Sequence, residues 1–81
     1  MKAPRVLVII PAHDEAESLP RTLAEVRAAA PGLDLLVVDD GSHDGTDAVA
    51  REAGVPVVRH PVNLGVGGAL QTGFRYAVRE G

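Results

Sequence analysis

Cysteine is absent from the 81 residues. That removes a disulfide framework and any thiolate metal site, and it permits a cytosolic setting. Positive charge is in short supply too: Lys and Arg number 8 against 11 for Asp and Glu, a net of -3. No broad basic surface is available to track a phosphate backbone, so no nucleic-acid partner is expected. Long apolar runs are missing as well. The run Val6 to Ile10 is far too short for a membrane-spanning helix or the core of a signal peptide. There is no internal repeat, low-complexity tract or linker. What remains, 46% hydrophobic and 23% charged, is the composition of one small globular domain at most. A chain this short hides a smaller share of its surface than a typical domain, so its core is marginal unless something else covers it.

The order of elements can be read from the spacing of apolar residues. Val6 to Ile10 is continuous, β-branched and closed by Pro11, the pattern of a parallel strand covered on both faces. From Ser18 the period changes: Leu19, Leu23, Val26 and Ala30 recur at helical spacing. Ser18 is placed to cap that helix, Pro20 to sit in its first turn, and Pro31-Gly32 to end it. Leu35 to Val38 forms a second strand. A helix from about Asp44 to Ala53 follows, capped by Asp44 or Ser42 and ended by Gly54. Val55 to His60 is a weaker third strand, because Pro56 has no N–H to give a ladder. After the glycine-rich turn Asn63 to Gly68, a last helix carries Leu70, Phe74, Ala77 and Val78 on one face. The alternation βαβαβα implies an α/β fold, a Rossmann-like half with a parallel three-stranded sheet and helices on both faces. Its functional edge is expected at the carboxyl ends of the strands, where three loops emerge: Pro11 to Glu15, Asp39 to Gly45 and His60 to Gly68.

The middle loop poses a problem, since Asp39 and Asp40 end an apolar strand on two neighbouring charges that repel and lose solvation there. Placed where the strand leaves the sheet, the pair is expected to reach the solvent-filled crevice and the positive end of the next helix. One acid would serve as a cap, so the second, Asp40, is assigned to the donor groups of a ligand. Ser42 and Asp44 read as turn and cap residues. An EF-hand loop starting at Asp40 fails, because its twelfth position is Arg51 where a bidentate Glu is needed. A dinucleotide fingerprint fails because the loop after the first strand has no glycine and Leu70 stands at the third glycine's place. A receiver domain keeps its acidic pair at the end of the first strand rather than the second, and stays open as an alternative. His13, His43 and His60 have no spacing that suits a metal. His43 reads as a solvated turn residue and His60 as a strand-end residue. No Ser, Cys or Lys looks like an activated nucleophile.

Three stretches carry a resemblance. IIPAHDEAESLPRTL, LLVVDDGSHDGTDAVA and VVRHPVNLGVGGALQTGF together resemble the opening of family 2 glycosyltransferases of the GT-A fold, and especially the dolichyl-phosphate mannosyltransferase-like, polyprenyl-phosphate branch. The similarity runs from about Arg5 to the end. It implies that the first loop lies along a donor nucleotide, with Pro11 and Ala12 presenting backbone to it and His13 where an aromatic residue often lies against the base. Glu15 matches an acid near the nucleoside, and Asp40 the acid that accepts a hydrogen bond from the base. Asp39 would order the loop. Gly67, with Gly65 and Gly68, would let backbone N–H groups and a helix start approach an anion; the same glycines also suit close packing of the last helix on the sheet.

There are departures: Asp14 replaces the family's usual Asn, and Leu64 and Val66 stand where many relatives carry Arg or Lys. The resemblance further implies a nucleotide-diphosphate sugar as donor, a lipid-phosphate or other acceptor with polyprenyl phosphate foremost, and Mg²⁺ or Mn²⁺ in the full-length enzyme. That ion's D-x-D ligands, and the catalytic residues, are expected beyond residue 81. On this reading residues 1–81 are a partial domain, inactive alone, whose first strand is left as an apolar edge. The enzyme would be cytoplasmic and held at a membrane by other segments. A nucleotidyltransferase is a third reading, disfavoured because its glycine-rich loop should follow strand one.

Overall fold

Three runs of β-branched residues and leucine become the three strands of a computed structural model that describes residues 6–80. Arg5 and Gly81, the ends of the stretch of resemblance, lie outside them. The strands are β1 (Leu7–Ala12), β2 (Asp34–Asp40) and β3 (Val57–His60), all parallel and ordered β1-β2-β3. The helices are α1 (Leu19–Ala29), α2 (Thr46–Glu52) and α3 (Gly65–Glu80). The chain thus has the α/β, Rossmann-like βαβαβα architecture, with the central strand the most hidden. Leu36, Val37 and Val38 have no exposed surface, and each such side chain contributes on the order of 1.5–3 kcal/mol relative to an exposed one. Pro11 is tolerated inside β1 because that strand is at the sheet's edge.

Side chains alternate across a strand, and the two faces are covered differently. On one face Leu19 and Leu23 of α1 and Ala50 of α2 bury Leu35, Val37 and Val55, with Val8, Ile10 and Val57 at the margin. On the other, α3 places Ala69 and Tyr76 against Leu36, Val38, Leu7, Ile9 and Val58. A Cβ at Gly73 would meet the Ile9 side chain at 2.6 Å, so α3 lies close enough to exclude one there. This corrects the expected helix face. Ala69 and Gly73 are buried, whereas Leu70, Phe74 and Val78 point outward, Phe74 at 66% exposure. Small residues set the approach to the sheet, and large apolar ones took the opposite side.

The two crossover helices carry the chain in one direction, from β1 to β2 to β3. Helix α3 then returns over β2 and β1. Three loops leave the carboxyl ends of the strands, the edge outside which open α/β sheets form ligand crevices.

Candidate functional site

The register decides where the two acids go. Pairing aligns Ala12 with Asp39 and Asp40 with His60. By alternation Asp39 shares its face with Leu35 and Val37, towards α1 and α2, and Asp40 shares its face with Leu36 and Val38, towards α3. The expectation that the pair reaches the solvent-filled crevice fails for Asp39: β2 continues through Asp40, the two residues are 0% and 5% exposed, and Asp40 alone of the two lines the cavity between the loops. Buried charge survives there because each carboxylate has its own partners. Asp39 Oδ1 accepts the Ser42 N–H at 3.1 Å, while Arg59 Nε stands 3.6 Å from Oδ2, an oxygen with no hydrogen-bond donor. Arg59 in turn donates to the Ser42 carbonyl at 3.0 Å, so Asp39 and Arg59 together fix the second loop.

Asp40 ties the second loop to the third. Its Oδ1 receives a hydrogen bond from His60 Nδ1 at 2.7 Å and another from Leu64 N–H at 2.8 Å, and Oδ2 receives one from Gly65 N–H at 2.8 Å. The His60 bond first, then the two backbone donors, hold this carboxyl below the usual value, so Asp40 is a carboxylate at neutral pH. Gly65, at φ +80, makes the turn that brings those N–H groups round. Gly41 allows the loops to meet: at φ +75 its added Cβ would lie 2.6 Å from Asn63 N and 2.7 Å from the Val62 carbonyl carbon.

The first loop is laced to the second through three successive backbone donors. Asp14 N–H donates to Ser42 Oγ at 2.8 Å, Glu15 N–H to Thr46 Oγ1 at 3.0 Å and Ala16 N–H to Asp44 Oδ2 at 3.0 Å. The Asp14 carboxylate answers by accepting His43 N–H at 2.8 Å. These bonds hold Asp14 at φ +50, a left-handed conformation that Asp visits more readily than most residues. Asp44 does accept the N–H of Thr46 at 3.1 Å, but Ser42 serves the first loop instead of the helix. His13 Nδ1 donates to the Asp40 carbonyl at 2.8 Å, which requires the hydrogen on that nitrogen, and its Nε2 stands 3.4 Å from Asp14 Oδ2.

Between these loops lies a cavity of about 100 Å³ lined by Pro11, Ala12, His13, Glu15, Asp40, Gly65, Val66 and Ala69. Gly67 is in the first turn of α3, outside that lining, and Gly65 and Val66 take its place. A space of this size is the floor of a binding site rather than a complete one. A roomier hollow, about 300 Å³, opens at the opposite end of the sheet among residues such as Arg27, Leu33, Gly54 and Tyr76. It sits at the amino ends of the strands, away from all three loops. Among the described residues no three His, Asp or Glu side chains converge to hold a metal ion.

A family model described as glycosyl transferase family 2 matches residues 7–80. The chain belongs to that family. It is 45% identical, over 95% of its length, to an undecaprenyl-phosphate mannosyltransferase of Micrococcus luteus, and 42% identical, over 95%, to a polyprenol monophosphomannose synthase of Mycolicibacterium smegmatis. An undecaprenyl-phosphate 4-deoxy-4-formamido-L-arabinose transferase of Pectobacterium atrosepticum is 36% identical over 93% of the chain. The matches cover 34%, 31% and 26% of those proteins, so the chain spans about a third of their length or less. Family membership leaves the receiver-like and nucleotidyltransferase readings without an observation in their favour.

Proposed function

We propose that the chain forms the nucleotide-sugar site of a glycosyltransferase that moves a sugar from a nucleotide diphosphate to a polyprenyl phosphate. The observation that carries this reading is the meeting of three loops at the carboxyl ends of the strands around one cavity, with Pro11, Ala12, His13, Glu15 and Asp40 all in its wall. In this role Pro11 and Ala12 offer backbone to the nucleoside, the His13 ring lies against the base, and Glu15 stands near the sugar of the nucleoside. Asp40 accepts a base N–H, and a charge-assisted bond of that kind contributes on the order of 1.5–3 kcal/mol. Gly67 lies at the start of α3, where the helix dipole favours the diphosphate.

The acceptor class is supported by the polyprenyl-phosphate relatives. An acceptor of that chemistry places the working enzyme at a membrane, on its cytoplasmic side, although none of the described helices is long and apolar enough to cross one. Residues 1–81 act on this reading as the nucleotide-binding portion of a catalytic domain, with Mg²⁺ or Mn²⁺ on the diphosphate supplied through ligands elsewhere. The chain alone is expected to bind nucleotide and to transfer no sugar. Calorimetric titration with UDP and GDP, with and without Mn²⁺, tests this. One of the two nucleotides should bind, and His13→Ala should weaken it about tenfold through lost stacking. Absence of heat with both would contradict the reading.

A further inference from the structure

His60 is 6% exposed, and both of its ring nitrogens are engaged. Nδ1 is 2.7 Å from Asp40 Oδ1 and Nε2 is 2.6 Å from Thr72 Oγ1 on α3. A carboxylate can only accept, so the hydrogen must be on Nδ1. In the neutral ring Nε2 then accepts the Thr72 hydroxyl proton. The result is a directed line from Thr72 O–H to His60 to Asp40, joining α3, β3 and β2 at one point.

Lone-pair arithmetic gives that line a purpose. Each carboxylate oxygen can accept about two hydrogen bonds. Asp40 Oδ1 already holds two, from His60 and Leu64, whereas Oδ2 holds one, from Gly65. One acceptor position on Oδ2 is therefore left for a ligand in the cavity that Asp40 lines. A partial rotation about the Cβ–Cγ bond would turn both oxygens away from these donors and lose this arrangement, whereas a half-turn only exchanges two equivalent oxygens. The two backbone donors come from the third loop, whose Val62 and Leu64 are more than half exposed. His60 is the donor that belongs to a strand, and Thr72 locks its ring.

We propose that His60 and Thr72 are positioning residues for nucleoside recognition: they fix the Asp40 carboxylate so that its one open acceptor position meets an N–H of the base. The inference rests on the reading of the cavity as the nucleoside's seat, and it adds a determinant of binding outside the residues that touch the ligand.

Two measurements test it. Nitrogen-detected NMR of the imidazoles in the ligand-free chain should show His60 with hydrogen on Nδ1 and an acceptor Nε2; the opposite tautomer overturns the proposal whether or not nucleotide binds. Titration with UDP and GDP should then show about a tenfold loss of affinity for His60→Leu and for Thr72→Val, the equivalent of one buried hydrogen bond. Most of that affinity should return in His60→Asn, which keeps an amide donor near the Nδ1 position, and in Thr72→Ser. In an Asp40→Asn background Thr72→Val should cost nothing more, because the pair acts through that carboxylate. Nucleotide binding that falls in Asp40→Asn but is unchanged in both His60→Leu and Thr72→Val overturns this inference alone. Failure of wild type to bind either nucleotide contradicts the functional reading and removes the inference with it.

Discussion

The two ends of the sheet are built from the same strands and differ in what their loops do. At the amino ends the turns are short, and beside the hollow among Arg27, Leu33, Gly54 and Tyr76 the Arg27 side chain donates to the Ala53 carbonyl. At the carboxyl ends Ser42, Asp44, Thr46 and Asp40 spend their oxygens on the backbone of neighbouring loops. The larger hollow is thus a gap between turns, and the smaller one is a built site. Between these two hollows volume does not decide; the direction of the hydrogen bonds does.

Glycine substitutions should separate the ends most sharply. Gly41 and Gly54 have nearly the same backbone, φ +75 and +76, but a Cβ at Gly41 strikes backbone of the third loop and one at Gly54 meets nothing. Gly41→Ala is expected to cost about 3 kcal/mol, the sum of conformational strain and a forced loop shift, and Gly54→Ala about 1 kcal/mol. Urea unfolding midpoints measure both, and equal losses would break the comparison. The next effect concerns single bonds. Thr46→Val keeps the shape but strands the Glu15 N–H and removes one of the two donors to Asp44 Oδ1, costing about 2 kcal/mol. Arg27→Ala at the other end removes an exposed bond and should stay within about 0.5 kcal/mol.

Acid should act on the same asymmetry with a smaller amplitude. The Asp40 carboxyl is held down first by His60 and the Asp44 carboxyl first by the Thr46 hydroxyl, each with backbone donors in support. Their folded values lie below their unfolded ones, so the unfolded chain binds more protons. The stability they contribute is complete above roughly pH 4 and is lost as pH falls through the folded values. On descending from pH 5, amide protection relative to the intrinsic exchange rate should fall first at Glu15, Ala16, Leu64 and Gly65, and Asp44→Ala should flatten the acid limb of the stability curve. A uniform fall in protection across the chain would contradict the assignment.

How much of this could be read from sequence follows from the range of each contact. Strands and helices were legible because continuous β-branched runs and the Leu19, Leu23, Val26 spacing are local signals. The inward face of α3 was not. A reading that weighs apolar bulk selects Leu70, Phe74 and Val78, whereas the sheet demanded the small Ala69 and Gly73 for close approach. The loops around the cavity were legible as a cluster, since topology alone brings three carboxyl ends together. The partnerships inside it were hidden. Ser42, Asp44 and Thr46 look like ordinary turn and cap residues until the first loop, some thirty residues away, arrives to use them. His60 carried one usable signal: strand alternation and parallel register place it beside Asp40 on the α3 face, and a buried histidine beside a buried carboxylate is rarely idle.

The central claim is that the cavity between the three loops seats a nucleoside. Amide chemical-shift mapping of the wild-type chain titrated with UDP and with GDP addresses it directly. The largest shifts are expected at Ala12, His13, Glu15, Asp40, Gly65 and Val66, with Leu33, Gly54 and Tyr76 unmoved. Shifts gathered at the amino ends of the strands, with the three loops silent, would contradict it.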